Sequence, residues 1–499
     1  MFKDAKARTP YIATLLAILV GIFAKLSLTS GELLPGRDGP YYWVQVRSLL
    51  NNSTLAFSDL PLVFWVQAFF AKILGDVQMA VRISDAVLQA LSAIPIFLIS
   101  RKYEKPWISV VAIPFVLLHP IQLYFFTGDF LKNEAAIPMV FFLAWVLLTI
   151  NNHSKVFTTL CLAAIILMIA LSHFGTLLLA LLILALWLAA QCRSIELKVI
   201  FKSLVLLFLI SGMALISLAL LAPSRYHRLI AVMTSPEIAF ASPRWESIVN
   251  GRSSSIMVVT IILGQVWSVF LTLMVWINRR RFQFSELSLL VSTLISSFIL
   301  SSPLFGMEWS DRFVALSFVP LSIASLIILG RTNNLKHKLL VWILVGVTLL
   351  SSAYFSQSKR NSIFTQKQYQ DLKELSAEIK LPDDSVMAAF HGLEFLAAWE
   401  FNSKVVVEDY YERADLSSYK SIYRIRFIYP DEKPGTTDSS TSKEGKPKDN
   451  PAVGKEPITI IDKSDKRDVI PARPGLPNPP ISSGVVVAQN QSFIIFKLR

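Results

Sequence analysis

Cysteine and charge are both scarce in this chain. Only two cysteines occur in 499 residues, Cys161 and Cys192, and both lie in or beside apolar runs. That excludes a disulfide framework as the source of stability. Charged residues make up 17% of the sequence, and they are clumped rather than spread. With 53% hydrophobic residues and a mean hydropathy of +0.52, the chain is too apolar for an ordinary soluble protein. It has no glycine-rich phosphate loop ending in lysine, no dinucleotide fingerprint and no His-Glu-x-x-His pair, which sets aside the chemistries those motifs serve. The net charge of +13 does not point to nucleic acid, because Lys and Arg sit in short loops between apolar runs. That is the distribution of cytoplasmic loops in a polytopic membrane protein. No Ala-x-Ala-type cleavage site follows the first apolar run, so that run is expected to remain as a membrane helix.

What the chain does have is long apolar runs. Eleven are counted, at 11–29, 80–100, 107–126, 134–150, 156–172, 175–191, 203–222, 256–276, 286–302, 313–330 and 338–355, each near the ~17–21 residues a bilayer requires. The loops between them alternate. One set carries Lys3, Lys6 and Arg8, then Arg101, Lys102 and Lys105, Lys155, Arg193 with Lys198 and Lys202, Arg279 to Arg281, and Arg331 with Lys336 and Lys338. The other short loops carry almost no Lys or Arg. The N-terminus is therefore expected in the cytoplasm and everything after residue 355 outside.

Residues 60–74 are apolar but span only roughly 22 Å as a helix. A crossing there would turn every later basic loop outward, so this stretch is expected to lie in the outer interface with Gln67 and Lys72 turned to water. Beyond residue 357 the composition becomes that of a soluble protein. A helix is expected over 366–380, a strand over 385–390, a helix in HGLEFLAAWE, a strand over 404–407 and a closing hairpin in GVVVAQNQSFIIFKLR. The polar, Pro-, Ser- and Lys-rich stretch at about 430–480 is expected to be disordered. The architecture read from the sequence is thus an all-α polytopic membrane bundle over 1–355, including an outer loop at 31–79 with interfacial helices. An extracytoplasmic α/β domain follows over 356–499.

The candidate chemistry lies in the outer loops. Asp38 stands in a Gly-Asp-Gly-Pro turn, and Pro40 suits the first position of a helix running about 41–50. Such a helix start offers free N–H groups and the positive dipole end to a phosphate, with Tyr41 beside it, and favours an ionised Asp38. The plain alternative is an ordinary turn. Asp129, in TGDFLKN, is expected on the same side, either as a helix cap or as partner to Asp38 in base catalysis or metal binding. Lys132 follows three residues later. Arg312 either pairs with Asp311 or clamps a phosphate through its fork. Arg225, His227 and Arg228 suit phosphate or lipid headgroups, headgroups being favoured for most of them. His173, His391 and Glu394 read as structural residues, because a metal site needs further ligands.

Three stretches resemble a known family. GRDGPYYWVQVRSLL resembles the first-loop acidic motif of the GT-C superfamily of polytopic glycosyltransferases, especially the family 39-like enzymes that use dolichyl- or polyprenyl-phosphate sugars. The run from LPLVFWVQAFF through KILGDVQMAVRISDAV to FLISRKY resembles their interfacial helix and entry into the second span. HPIQLYFFTGDFLKN resembles their second outer loop. The likeness covers about the first 150 residues. Asp59-Leu60-Pro61 replaces the usual His-Pro-Pro, Gly39 stands where a second acidic residue is common, and the Trp-Trp-Asp acceptor motif is absent.

The resemblance implies a GT-C-like bundle that moves a hexose or pentose, with inversion, from a polyprenyl-phosphate-linked sugar donor to a lipid, glycan or protein acceptor outside the membrane. The first-loop Asp would be the general base. No cofactor is implied with certainty. A divalent metal held by Asp38 and Asp129 is the one option left open. The expected location is a bacterial inner membrane, in contact with membrane lipids. Two other classes compete, a lipid-linked saccharide transporter or flippase and a non-catalytic envelope assembly protein. A carrier needs a charged path through the bundle, whereas this sequence is read as keeping its charges at the outer surface. The loop pattern predicts that an epitope fused at residue 499 is reached in intact cells from the extracytoplasmic side. Accessibility from the cytoplasm alone would overturn the assigned orientation.

Overall fold

A computed structural model describes residues 2–119, 131–191, 215–235, 243–250, 255–332, 364–428 and 484–498, with residues 30, 35, 37, 412 and 413 excepted and a few isolated residues, such as Ser362, added. The chain divides into two compact units. One comprises residues 1–31 and 59–360, the other 32–58 and 361–499. The first outer loop, read from sequence as part of the bundle, is therefore shared out. Residues 32–58 pack with the C-terminal residues.

The first unit is helical. Its described helices include α1 (Phe2–Leu28), α3 (Leu62–Leu74), α4 (Val77–Ala90), α5 (Ala93–Lys102), α6 (Trp107–Leu117), α7 (Leu131–Leu148), α8 (Lys155–Ser172) and α9 (Phe174–Gln191). They continue with α10 (Pro223–Thr234), α11 (Arg244–Val249), α12 (Ser255–Asn278), α13 (Phe284–Leu300), α14 (Met307–Leu316) and α15 (Phe318–Arg331); α2 (Gly39–Asn52) belongs to the second unit. Among the described residues seven stretches are long and apolar enough to cross a membrane, and α6 and α13 are shorter apolar helices at the expected third and ninth spans. The expected seventh span is described only in part, and the eleventh lies outside the described residues. The chain is an integral membrane protein with a mostly helical bundle.

Polar atoms inside such a bundle have no water to turn to. On α13 the side chains of Ser288, Ser292, Thr293 and Ser297 are buried. Ser288, Ser292 and Thr293 donate back to carbonyls four residues earlier, and Ser297 donates across to the Ser317 carbonyl. Small hydroxyl residues let the helices approach closely while remaining satisfied. Gly330 serves close approach too. A Cβ there would lie 2.3 Å from the Tyr103 ring.

Charges are matched at both ends of the helices. Glu286, fully buried in the first turn of α13, accepts from Arg331 Nε and Nη2 at 2.8 Å each and from Lys102 Nζ at 3.2 Å. At the other end, Lys25 of α1 pairs with Asp85 of α4 at 2.7 Å and with Glu134 of α7, all three at most 4% exposed. The expectation that the charges stay at the outer surface is corrected here. These three are enclosed, because each finds its opposite inside. Gln67 also departs from expectation. It faces the protein and is fully buried, while Lys72 is exposed. The exposed stripe of α3 is Trp65, Phe69 and Ile73, at 52–65%, the i, i+4, i+8 spacing of one helix face.

The second unit is built on a five-stranded sheet of β1 (Ser385–Ala389), β2 (Lys404–Val407), β3 (Ser421–Phe427), β4 (Val485–Gln489) and β5 (Phe493–Lys497) in the order β2-β1-β3-β5-β4. β1 runs parallel to β2 and β3, with Ser385 opposite Ser421, and β5 lies antiparallel between β3 and β4. Helices α16 (Gln366–Glu378), α17 (Glu394–Glu400) and α18 (Glu408–Tyr411) accompany it. Thr365 and Gln368 close a capping box at the start of α16, which fixes its first turn. The central strand β3 is absent from the sequence reading. Its alternation is broken by Arg424, which is buried because it pairs with Glu408 at 2.8 Å. The stretch expected to be disordered lies outside the described residues.

Removing one partner of a buried ion set leaves uncompensated charge and costs about 3–5 kcal/mol. Lys25→Met strands two carboxylates and is expected to lower the thermal unfolding midpoint in detergent substantially. The double change Lys25→Met with Asp85→Asn should recover part of the loss. A Lys25→Met midpoint equal to that of the parent would refute the role given to this cluster.

Candidate active site

Asp38 begins α2 (Gly39–Asn52) in the second unit. Gly36, at φ +93, bridges to Ser362 just before it, and the helix opens with Pro40 in its first turn. The Asp38 side chain makes no capping hydrogen bond to its own helix, while its carbonyl accepts from Tyr41 N–H at 3.0 Å. The half-buried carboxylate thus stands at the positive end of a fourteen-residue helix. Tyr41 lies in an aromatic cluster, 5.8 Å from Phe57 and 5.0 Å from Phe395, and its hydroxyl accepts from Gln45 at 2.9 Å. Gln45 also donates to the Phe57 carbonyl and accepts from the Phe57 N–H, clipping the loop shut.

The rest of α2 is anchored by the C-terminal residues of the same unit. Trp43 is fully buried, 5.6 Å from Trp399. Arg47 donates to the Trp399 and Ala398 carbonyls at 2.7 Å each and lies 4.5 Å over the Trp399 ring. Burial pushes the Arg47 guanidinium below its ordinary value, and the Glu400 carboxylate opposes that shift. Burial pushes the Glu400 carboxyl up, against the Tyr369 hydroxyl that donates to it at 2.8 Å. Glu32 ties the start of the segment to α16, accepting from Gln366 at 2.7 Å and Gln370 at 2.9 Å.

In the bundle, Lys132 forms an ion pair with Asp59, which is 3% exposed. Asp59 also accepts from Leu60 N–H at 2.8 Å, and Lys132 lies 5.9 Å over Phe64. Asp59 was missed as a functional candidate. Its signal was present as an acidic residue at the head of a Pro-led helix, but its partner is 73 positions away. Arg312 is half-buried on α14. Just before α14, Gly306 pairs with Pro243, and Arg244 N–H donates to the Phe305 carbonyl at 2.9 Å, so two loops are knitted together. Arg225 is on α10, and its side chain and the whole of Asp129 lie outside what the structure describes.

The structure thus brings Asp38 together with Tyr41, and Lys132 with Asp59. His173 receives the Thr176 N–H at 3.1 Å at the start of α9. Glu394 pairs with His391 at 2.9 Å and accepts the Gly392 N–H, so both positions are occupied structurally. Among the described residues no three His, Cys, Asp or Glu side chains group as metal ligands.

Residues 58–221 match the family model of dolichyl-phosphate-mannose-protein mannosyltransferases. That region holds Asp59, Lys132 and Glu134 but not Asp38. No curated protein sequence matches the chain. Among solved structures, the chain is similar to an Archaeoglobus fulgidus oligosaccharyltransferase tethered to an acceptor peptide. Identity is 10% and the TM-score 0.53, over 84% of this chain and 69% of that one. It also aligns with ArnT of Cupriavidus metallidurans bound to undecaprenyl phosphate, at 11% identity and TM-score 0.40 over 99% and 98% of the two chains. A third alignment is with the mycobacterial arabinofuranosyltransferase AftD, at 14% identity and TM-score 0.41 over 76% and 29%. The family match is thus confined to the bundle, and the chain shares the fold of the membrane-embedded oligosaccharyltransferase.

Proposed function

We propose that the protein transfers a hexose or pentose from a polyprenyl-phosphate carrier to an acceptor hydroxyl on the extracytoplasmic side, with Asp38 as general base. The observation that carries this reading is the carboxylate at the head of α2, which does not cap its own helix. An acceptor hydroxyl is a poor nucleophile at neutral pH. Asp38 takes its proton as the new bond forms at the anomeric carbon. The bond from that carbon to the phosphate oxygen breaks with its electron pair, and the configuration inverts. The departing lipid phosphate gains negative charge, which a guanidinium or a helix N-terminus stabilises. Arg312 is assigned to that phosphate. Lys132 is held by Asp59, so any contact it makes with phosphate shares that ammonium. Asp129 orients the acceptor or Asp38. The acceptor peptide named for the oligosaccharyltransferase of the same fold supports an acceptor as one of the two substrates.

The buried set of Lys25, Asp85 and Glu134 is the observation that favours a saccharide carrier instead. The two readings separate on product, since only transfer makes a new glycosidic bond. The assay supplies polyprenyl-phosphate sugars, radiolabelled mannose first, to membranes holding equal amounts of each variant. Asp38→Asn keeps the size and removes the basic oxygen, and it is expected to lower transfer by roughly a hundredfold or more. Asp129→Asn should lose less. Arg312→Lys should weaken donor use more than stability, because a point charge does not replace the fork. Near-normal transfer by Asp38→Asn would remove the base from this mechanism.

A further inference from the structure

We propose that Arg47 is a positioning residue, through which the C-terminal α/β unit holds Asp38 in place. The inference rests on Asp38 acting as the base.

The last carbonyls of any helix lack partners within the helix. In α17, the carbonyls of Ala398 and Trp399 are taken by the two terminal nitrogens of one guanidinium, that of Arg47, some 350 residues earlier in sequence. The cation also complements the negative dipole end of α17 and stacks on Trp399. This planar, two-pronged arrangement suits Arg and no other residue. Trp43 and Tyr41, lower on α2, meet Trp399 and Phe395 of the same short helix.

A helix is a stiff rod. Asp38 stands nine positions from Arg47, about 13 Å along the axis. Fixing α2 at Tyr41, Trp43 and Arg47 therefore fixes the place and direction of its first turn. The other side of Asp38 is held by the Gly36–Ser362 bridge and by the Ser362 hydroxyl donating to the Gly36 carbonyl at 3.4 Å. The carboxylate is thus suspended between two attachments, each made to the C-terminal part of the chain. The α/β sheet contributes no side chain to the reaction; it sets where the base stands. A misplacement of about 1 Å can cost on the order of a hundredfold in rate.

Two readouts test this in the full-length protein. Hydrogen exchange in detergent is expected to rise at amides 38–46 in Arg47→Gln, while the bundle helices α7 and α15 exchange as in the parent. In the membrane transfer assay with polyprenyl-phosphate mannose, or the donor from the same series that proves active, Arg47→Gln is expected to lower kcat roughly tenfold or more with the KM for donor unchanged, and Arg47→Lys should recover part of it. Asp38→Asn combined with Arg47→Gln should transfer no more slowly than Asp38→Asn alone, since the clamp acts through that carboxylate. Unchanged exchange at 38–46 would overturn the proposal. So would a loss confined to KM, or a further drop in the double variant. Should Arg47→Gln fail to fold, Arg47→Lys carries the same measurements. Normal transfer by Asp38→Asn would sink the base assignment instead, and the exchange result would still decide whether Arg47 orders the loop.

Discussion

A charge enclosed in an apolar bundle must find its opposite charge within the protein. The helices here are long, apolar and chemically alike, so apolar contact alone discriminates poorly among possible neighbours. The ionic sets do discriminate. Lys25 reaches Asp85 and Glu134 and so joins α1, α4 and α7 at one end. Glu286 gathers Lys102 and Arg331 and joins α5, α13 and α15 at the other. Any register that separated either set would leave a buried charge unmatched, at a cost of several kcal/mol. The serine-rich face of α13 works in the same direction at lower stakes, since the hydroxyls of Ser288, Ser292 and Ser297 are satisfied by carbonyls within reach.

The second unit is organised by capping. Residues 32–58 have no sheet of their own and are too few to form a core. They are ordered by what they complete elsewhere. Arg47 supplies donors to the end of α17, Glu32 accepts from α16, and the aromatic rings of Tyr41, Trp43 and Phe57 pack on Phe395 and Trp399. The loop that carries Asp38 is thus part of the α/β unit in this protein.

The family match begins at residue 58, just before Asp59, and covers the bundle rather than the loop that carries Asp38. What it brings to this chain is the membrane scaffold. The acidic residue at the start of α2 is an argument from local geometry, made of a helix N-terminus, a proline in the first turn and a carboxylate not spent on capping. Asp59, which precedes the Pro-led helix α3, is paired with Lys132 within the matched region.

Much of the architecture was readable from the chain itself. Apolar runs of membrane length, basic loops and the helix start at Pro40 depend on residues close in sequence, and α17, β1, β2 and the closing hairpin appear where local pattern placed them. The strand β3 was missed because Arg424 interrupts its pattern, and only Glu408 makes burying that arginine tolerable. Gln67 was assigned to water because polarity was read without its packing. The enclosure of Lys25, Asp85 and Glu134 left no local trace, because the partners lie 60 and 109 positions from Lys25. The sequence by itself determined where most of the helices and strands lie, since those follow from side-chain type and short-range spacing. Only the tertiary structure decided that Lys132 belongs to Asp59 and that the Asp38 helix belongs to the C-terminal unit. Partner choice between distant groups depends on which faces meet when the chain folds, and local spacing holds no record of that.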